Sequence, residues 1–580
     1  MTTGAKARRG QLLSTYGIGG LFPSETTSFM IVGLDEWHEN RTRPVSEPRL
    51  ARSLRVAELK SPPAGSRDGR DVPVIRFPLT QVCPNPKCRR IGSLFDLAKD
   101  WNIAKCAQCK DKPLLTPFRL ITACSKGHID EFPYFRWLHK GAAWGEGTKH
   151  EMKMVSLGRT SSLADLVLKC SCGVAPKNLD GTFGPKALAE FGTCSGARPW
   201  LGAEAKQDCA ETPRVLQRGA SNVWFPAVRS AISIPPYSEA LAKLVDKHWV
   251  LLEDLDPVPP KVLEKVTKLS NDKYSAADIA AEIERRRGAE ADDDVSEDAL
   301  RRDEFSALMT GREDIGIEAD FVCLPMPLGS SLPELMTDVR KVTRLREVRA
   351  LYGFSRLDGV TEPGSEGLCD LSRHRTNWLP AIEVIGEGVF IALDRAKLAE
   401  WAAKSFAQGR QQALQTAAGR RAAEFGRPEA PRVDIVEVAV HTLAHVLIDQ
   451  LSLDAGYPAA SLRERLYVDD NMAGILVYTA SSDSAGSLGG VASQAAPESF
   501  AGVLREGLTR LSWCSSDPVC IESTASGTDA LNLAACHACV LVPETSCELS
   551  NTFLDRALLF GTPEEGRESE GLFSGFISHG

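Results

Sequence analysis

Cysteine spacing is the strongest constraint on how this chain can fold. Fourteen of its sixteen cysteines lie between residues 83 and 209 or between 514 and 547. Within those stretches several recur as short pairs, Cys83-x4-Cys88, Cys106-x2-Cys109, Cys170-x-Cys172 and Cys536-x2-Cys539. Pairs of this kind sit on tight turns, and two such turns supply the four soft donors that a tetrahedral zinc ion needs. Disulfides are the competing use of paired thiols. A chain of 580 residues can build its core without cross-links, and in a reducing compartment such pairs more often bind metal. Residues 1–20 are polar and basic, with no apolar leader, and no run of eighteen apolar residues occurs anywhere. A soluble, cytoplasmic protein without membrane contact is therefore expected.

Three zinc sites follow from the spacings. Cys83, Cys88, Cys106 and Cys109 have the separation of a zinc ribbon, with seventeen residues between the two knuckles. Cys170, Cys172, Cys194 and Cys209 form a second, less regular set, for which Cys124-x3-His128 is a substitute source of ligands. At the carboxy-terminal end five thiols compete for four places. Cys520, Cys536, Cys539 and Cys547 are expected as the ligands there, with Cys514 in reserve. An all-thiolate site has no open position for water, so it braces structure and does not activate a nucleophile. Two to three Zn2+ ions per chain are expected.

A helix expected near residues 433–453 carries Glu437, His441, His445 and Asp449 at intervals of four. Steps of four drift by about 40° on a helix, so these groups form a slanting polar ridge. Two histidines at this spacing can bind a catalytic metal. The zinc peptidases, however, place a general-base Glu directly after the first His, where this chain has Thr442. No Gly-x4-Gly-Lys loop, Asp-Glu-Ala-His box or Gly-x-Ser-x-Gly elbow occurs, and the Gly-rich stretch Ser484–Gly490 lacks a P-loop ending. No catalytic residues are assigned.

Texture along the chain indicates an α+β, multidomain architecture with four segments. Residues 1–80 read as β-rich, with a strand near Ser28–Gly33, and end in a Pro/Gly-rich linker from Ser61 to Arg70. Residues 81–215 form a zinc-ribbon-like region of short strands and knuckles. Residues 216–430 are mixed. They contain a charged, surface-exposed helical insertion at 239–315 with the acidic run Glu290–Asp294, a charged helix ending near Tyr352-Gly353-Phe354, and a strand at Ala381–Leu393. Residues 431–580 form a mixed α/β domain with the carboxy-terminal zinc site.

The formal charge of -8 argues against a general nucleic-acid binder, but it is uneven. Residues 1–140 hold 23 Lys and Arg against 13 Asp and Glu, and the remainder holds 45 against 63. A phosphate backbone would be drawn to the amino-terminal quarter, through Lys87, Arg89, Arg90, Lys105, Lys110 and Lys112 around the first ribbon. The plain alternative is a solvated basic surface on a scaffold that touches no DNA.

Several motifs carry a family resemblance. His441-Thr442-Leu443-Ala444-His445, Gly474–Tyr478 leading to Gly489-Gly490, and Cys536-x2-Cys539 through Cys547 to Asn551-x2-Leu554-Asp555-Arg556 resemble the zinc-binding domain of unknown function associated with DEAD/DEAH-type helicases. Tyr16-Gly17-Ile18-Gly19, Cys124-x2-Gly127-His128, Arg198-Pro199-Trp200, Gln217–Asn222 and Gly353-Phe354-Ser355-Arg356 are similar to the DrmB subunits of DISARM anti-phage systems. The resemblance implies a non-catalytic accessory subunit. It would pair with a DrmA-like helicase as a heterodimer and help engage invading DNA through the backbone, host DNA being marked by a methyltransferase. The rival expectation is a metal-dependent hydrolase, nuclease or peptidase, using His441 and His445 with Glu437 or Asp449.

Overall fold

The computed structural model describes the chain except residues 1–5, 25–26, 65–70, 101, 142–149, 159–161, 235–238, 288–295, 314–319, 360–363, 425–428, 480–488, 528–529, 565–568 and 578–580. The acidic run 290–294, the linker residues 65–70 and most of the Gly-rich stretch at 484–490 therefore lie outside the described residues. Two compact units are present, each drawn from separate stretches of chain. One comprises Met1–Val45, Val56–Arg229 and Arg349–Ile382; the other comprises Ser46–Arg55, Ser230–Val348 and Glu383–Gly580.

The first unit is made of short antiparallel strands, β1 (Thr80–Val82), β2 (Arg90–Ser93), β3 (Leu120–Ala123), β4 (Ile129–Glu131), β5 (Met152–Ser156), β6 (Leu166–Cys170) and β7 (Arg214–Gln217). One sheet contains β1-β2-β5-β6 in that order, and another runs β7-β3-β4. Such strands are too short to be stable alone. Their apolar faces close on Phe118, Phe132, Trp137, Leu168 and Phe191.

Arg356 ties separate segments of this unit together. It is fully buried and donates to the carbonyls of Val223 at 2.6 Å, Gly19 at 2.7 Å and Gly127 at 2.9 Å. Its guanidinium also lies over the rings of Phe354 and Trp200, with centroids at 4.9 and 5.3 Å. Burial pulls its pKa down to about 10, which still leaves it charged at neutral pH.

The second unit holds the greater part of a larger sheet. Its strands are β8 (Phe321–Pro325), β9 (Met336–Ser355), β10 (Trp378–Leu393), β11 (Leu462–Val468) and β12 (Ala473–Thr479), in the order β9-β10-β12-β11 with β8 also paired to β9. Its main helices are α1 (Glu297–Thr310), α2 (Ser405–Glu424), α3 (Ile435–Ala455) and α4 (Pro497–Leu511). Asp434 caps α3 by accepting from the Val436 N–H at 2.9 Å, and Gly456 ends it in the left-handed region. α3 is long and apolar enough to cross a membrane by length and composition, yet it is buried in the core. One side packs Val440, Leu443 and Leu447 into a cluster with Val389 and Ile475 of the sheet and Leu504 of α4. Another packs Val438 and Ala439 into a cluster with Phe406 and Leu414 of α2.

Two sequence expectations are corrected here. The charged helix expected to end near Phe354 is the long strand β9. Its apolar residues fall three apart at Val339, Val342, Leu345 and Val348, which imitates a helical face, but β-branched Val favours the pleated sheet. The described residues of the 239–315 segment are largely helical, but not all of them are surface. Its first three helices close on a small core of Leu241, Val245, Val266, Ile279 and Ile283. α1 buries Leu300, Glu304 and Leu308.

Glu304 is buried because it meets Arg465 of β11. The guanidinium donates to both carboxylate oxygens, at 2.6 and 2.8 Å, and to the Ser230 hydroxyl at 2.6 Å, while Tyr467 donates to Glu304 at 3.3 Å. A buried pair of this kind is costly to break from one side, because the survivor is left charged and unmatched. Glu304→Ala is therefore expected to destabilise the second unit by about 3–5 kcal/mol in denaturant unfolding. The double change Glu304→Leu with Arg465→Met should recover most of that loss.

Candidate metal centres

Five groups of four donors converge among the described residues, each with its ligand atoms within 4.8 Å of one another. Zinc–sulfur bonds of about 2.3 Å in a tetrahedron place sulfurs about 3.8 Å apart. All sixteen cysteines are free thiols, and fourteen of them belong to these groups.

The first group is Cys83, Cys88, Cys106 and Cys109. The β1–β2 hairpin delivers Cys83 and Cys88, and a second turn delivers Cys106 and Cys109. Arg89 and Lys112 follow the knuckles with φ of 50° and 42°, the left-handed turns that fold each pair back on itself. Sγ separations are 3.7 Å for Cys83–Cys109 and 3.9 Å for Cys88–Cys106, which fit the tetrahedral edge. Around it Lys87, Lys105, Lys110 and Lys112 are exposed, while Arg89 and Arg90 are half-buried and Arg90 lies 4.0 Å from Glu151.

Cys170, Cys172, Cys194 and Cys209, grouped by spacing into one site, are divided between two. Cys194 and Cys209 join Cys124 and His128. The turn between β3 and β4 presents Cys124 and His128. Gly127 in that turn has φ of +77°, and a Cβ there would lie 2.0 Å from the Cys369 sulfur. His128 Nε2 lies 3.0 Å from Gln207 Oε1, which fixes Nε2 as the donor and leaves Nδ1, 3.4 Å from Cys124, as the ligand atom. Contact with Cys124, and then with His128, pulls the Cys194 thiol down to about 4. The loop bearing Cys194 and Cys209 closes through Gly196, whose φ is +66° and where a Cβ would meet the Gln207 carbonyl at 1.6 Å.

Cys170 and Cys172 instead meet His139 and His150. His139 donates from Nδ1 to the Phe135 carbonyl at 2.9 Å and turns Nε2 to Cys172 at 3.4 Å; His150 Nδ1 lies 3.2 Å from Cys170. The Phe135 ring stacks on His139 at 4.0 Å and holds its plane. The Val174 N–H, and then His139, lower the Cys172 thiol to about 6, so it is thiolate at neutral pH. Neither histidine stands out in the sequence, because isolated His residues carry no spacing signal.

The carboxy-terminal thiolate set is Cys514, Cys520, Cys536 and Cys539, with Sγ separations of 3.5 Å for Cys514–Cys536 and 3.7 Å for Cys520–Cys539. Cys514 takes the place expected of Cys547. Cys547 lies with His441 and His445 of α3 and Glu464 of β11. The expected ridge therefore does not act as one set. Asp449 is exposed and lies 3.6 Å from Arg510, while Glu437 is half-buried and absent from the metal-ligand groups. Burial, and then Asp434, raise the Glu437 carboxyl.

Two families match parts of the chain. Residues 8–225 match a domain of unknown function (DUF8724), and residues 443–540 match the MrfA Zn-binding domain. The chain is also similar to the DISARM protein DrmB of Bacillus paralicheniformis (strain ATCC 9945a / NCIMB 11709 / CD-2), at 31% identity over 560 residues, 93% of this chain and 97% of that one. The donor sets fit zinc in number, softness and spacing. The MrfA-type match contains the whole Cys514–Cys539 set, which would hold zinc as a closed structural site.

Gly196→Ala is expected to lower stability by at least about 2 kcal/mol, because a strained left-handed backbone adds to a backbone clash. An unchanged denaturation midpoint would contradict the loop geometry. Cys536→Ser should lower zinc by one ion per chain, as read by elemental analysis.

Proposed function

From its membership of the DrmB family, to which this chain belongs, we propose that it is the zinc-braced, non-catalytic subunit of a DISARM-type defence complex in the cytoplasm, paired with a DrmA-like helicase and helping to hold invading DNA. The observation that carries this reading is the combination of family membership with donor sets that are complete. Each group supplies four protein ligands, so none reserves a coordination position for a water or a substrate. The work of translocation falls to the partner.

DNA contact is assigned to the basic amino-terminal quarter. Lys87, Lys105, Lys110 and Lys112 are exposed about the first thiolate group, whose turns give them a rigid base. They are point charges suited to phosphates and carry no base-reading geometry. The hydrolase alternative finds no support at His441 and His445. Exposures of 0% and 1%, with Glu464 at 0% and Cys547 at 6%, leave no path for a polymer to reach them.

The test uses the chain in complex with its helicase partner. The triple change Lys87→Glu, Lys110→Glu, Lys112→Glu should leave zinc content and partner binding intact. It should weaken DNA binding and reduce the slope of log K against log salt by about 3, at close to one per lost phosphate contact. Unchanged DNA affinity and slope would remove the assignment. Hydrolysis of nucleotide or polymer by the chain alone would remove the non-catalytic role.

A further inference from the structure

The group in the second unit formed by His441, His445, Glu464 and Cys547 has a feature that hydrogen bonding does not explain. All four side chains are buried. His445 Nδ1 lies 2.9 Å from the Val540 carbonyl, an atom that can only accept, so Nδ1 carries the proton. In a neutral ring Nε2 is then a bare lone pair. It points at Glu464 Oε2, 3.5 Å away, and neither atom has a hydrogen-bond partner. His441 repeats the arrangement, with Nδ1 3.4 Å from the Phe553 carbonyl and Nε2 facing Cys547 Sγ at 3.1 Å and Glu464 Oε1 at 3.3 Å. Four electron-pair donors thus converge in the interior.

Protons do not resolve this convergence. A single imidazolium would have to reach Glu464 across 3.3 or 3.5 Å, longer than a charge-assisted N–H···O bond of about 2.7–2.9 Å, and two would place like charges on rings whose centroids are 4.5 Å apart, away from water. A proton on Cys547 serves His441 and leaves His445 facing Glu464 as before. A proton on Glu464 would have to bridge 3.5 Å, well beyond the usual O–H···N hydrogen bond. The nitrogen–oxygen separations of 3.3 and 3.5 Å instead approximate the edges of a tetrahedron with metal bonds near 2.0–2.1 Å, about 3.3–3.4 Å.

We propose that His441 Nε2, His445 Nε2, Glu464 and Cys547 Sγ bind a zinc ion in a second, closed site of the second unit, distinct from the Cys514–Cys539 set. Two neutral imidazoles, one carboxylate and one thiolate neutralise Zn2+, so the buried cluster carries no net charge. Surrounding groups are set for this occupant. The N–H groups of Asn551 and Leu549 donate to Cys547 Sγ at 3.2 and 3.3 Å, the Glu548 N–H donates to Glu464 Oε1 at 2.9 Å, and the two carbonyls orient the rings. His441 and Cys547 lie outside the residues that match the MrfA Zn-binding domain. With every donor buried and four protein ligands in place, the ion pins helix α3, strand β11 and the carboxy-terminal loop, and performs no hydrolysis. The assignment does not depend on how the chain assembles with partners.

Crystals of the unaltered full-length chain, measured just above and just below the zinc absorption edge, test the site without relying on a variant that folds. An anomalous peak between the four atoms, present only above the edge, is expected. Peaks at the thiolate groups with none here would overturn the proposal, as would a peak here that persists below the zinc edge. In solution, Glu464→Gln with Cys547→Ser should lower zinc by one ion per chain while the Cys514–Cys539 thiols stay protected from a thiol reagent. Unchanged zinc in that variant would also overturn it.

Discussion

A lone pair buried without a proton donor or a cation is costly, and most of this molecule's unusual local geometry follows from arranging such pairs in fours. The turns that present them are held by left-handed residues, by glycines with no room for a Cβ and by N–H groups aimed at sulfur. None of the strands β1 to β7 exceeds five residues, a length that is marginal without further support. Coordination supplies the rigidity that longer strands would otherwise provide. It also gives the many potential ligand residues of this chain a structural use.

The two units use different means to hold distant segments together. In the first, Arg356 gathers the carbonyls of Gly19, Gly127 and Val223, and Gly127 belongs to the same turn as Cys124 and His128. The segments around Gly19, Gly127 and Val223 thus meet at one cation beside one metal-type cluster. In the second unit α3 is the hub. It buries aliphatic residues in two clusters and turns His441 and His445 toward β11, while Arg465 of that strand binds Glu304 of α1.

What could be read from sequence depended on how local each ligand set is. Cys83 to Cys109 spans one hairpin and the next turn, so its spacing was sufficient. Cys124 and His128 reach Cys194 and Cys209 across a gap that contains another ligand pair, Cys170 and Cys172, and spacing alone joined the wrong partners. Cys547 follows the CxxC pair closely enough to look like its fourth ligand, yet the chain between them carries it to α3. On α3 the four-residue steps did place two histidines together. The same drift along the helix left Asp449 to Arg510 and kept Glu437 out of the cluster. The strand β9 was obscured by valines three residues apart, since an expected period of three to four cannot be told from a strand buried on both faces.

Coordination, repeated through both units, shapes this chain. Zinc measured by elemental analysis on the purified full-length protein, alongside the number of thiols that react under native conditions, addresses it most directly. About five ions per chain are expected, one for each four-donor group and more than the two to three that cysteine spacing alone indicates, with the clustered thiols protected until a chelator removes the metal. Three or fewer ions in a folded chain whose remaining clustered thiols react freely would contradict it.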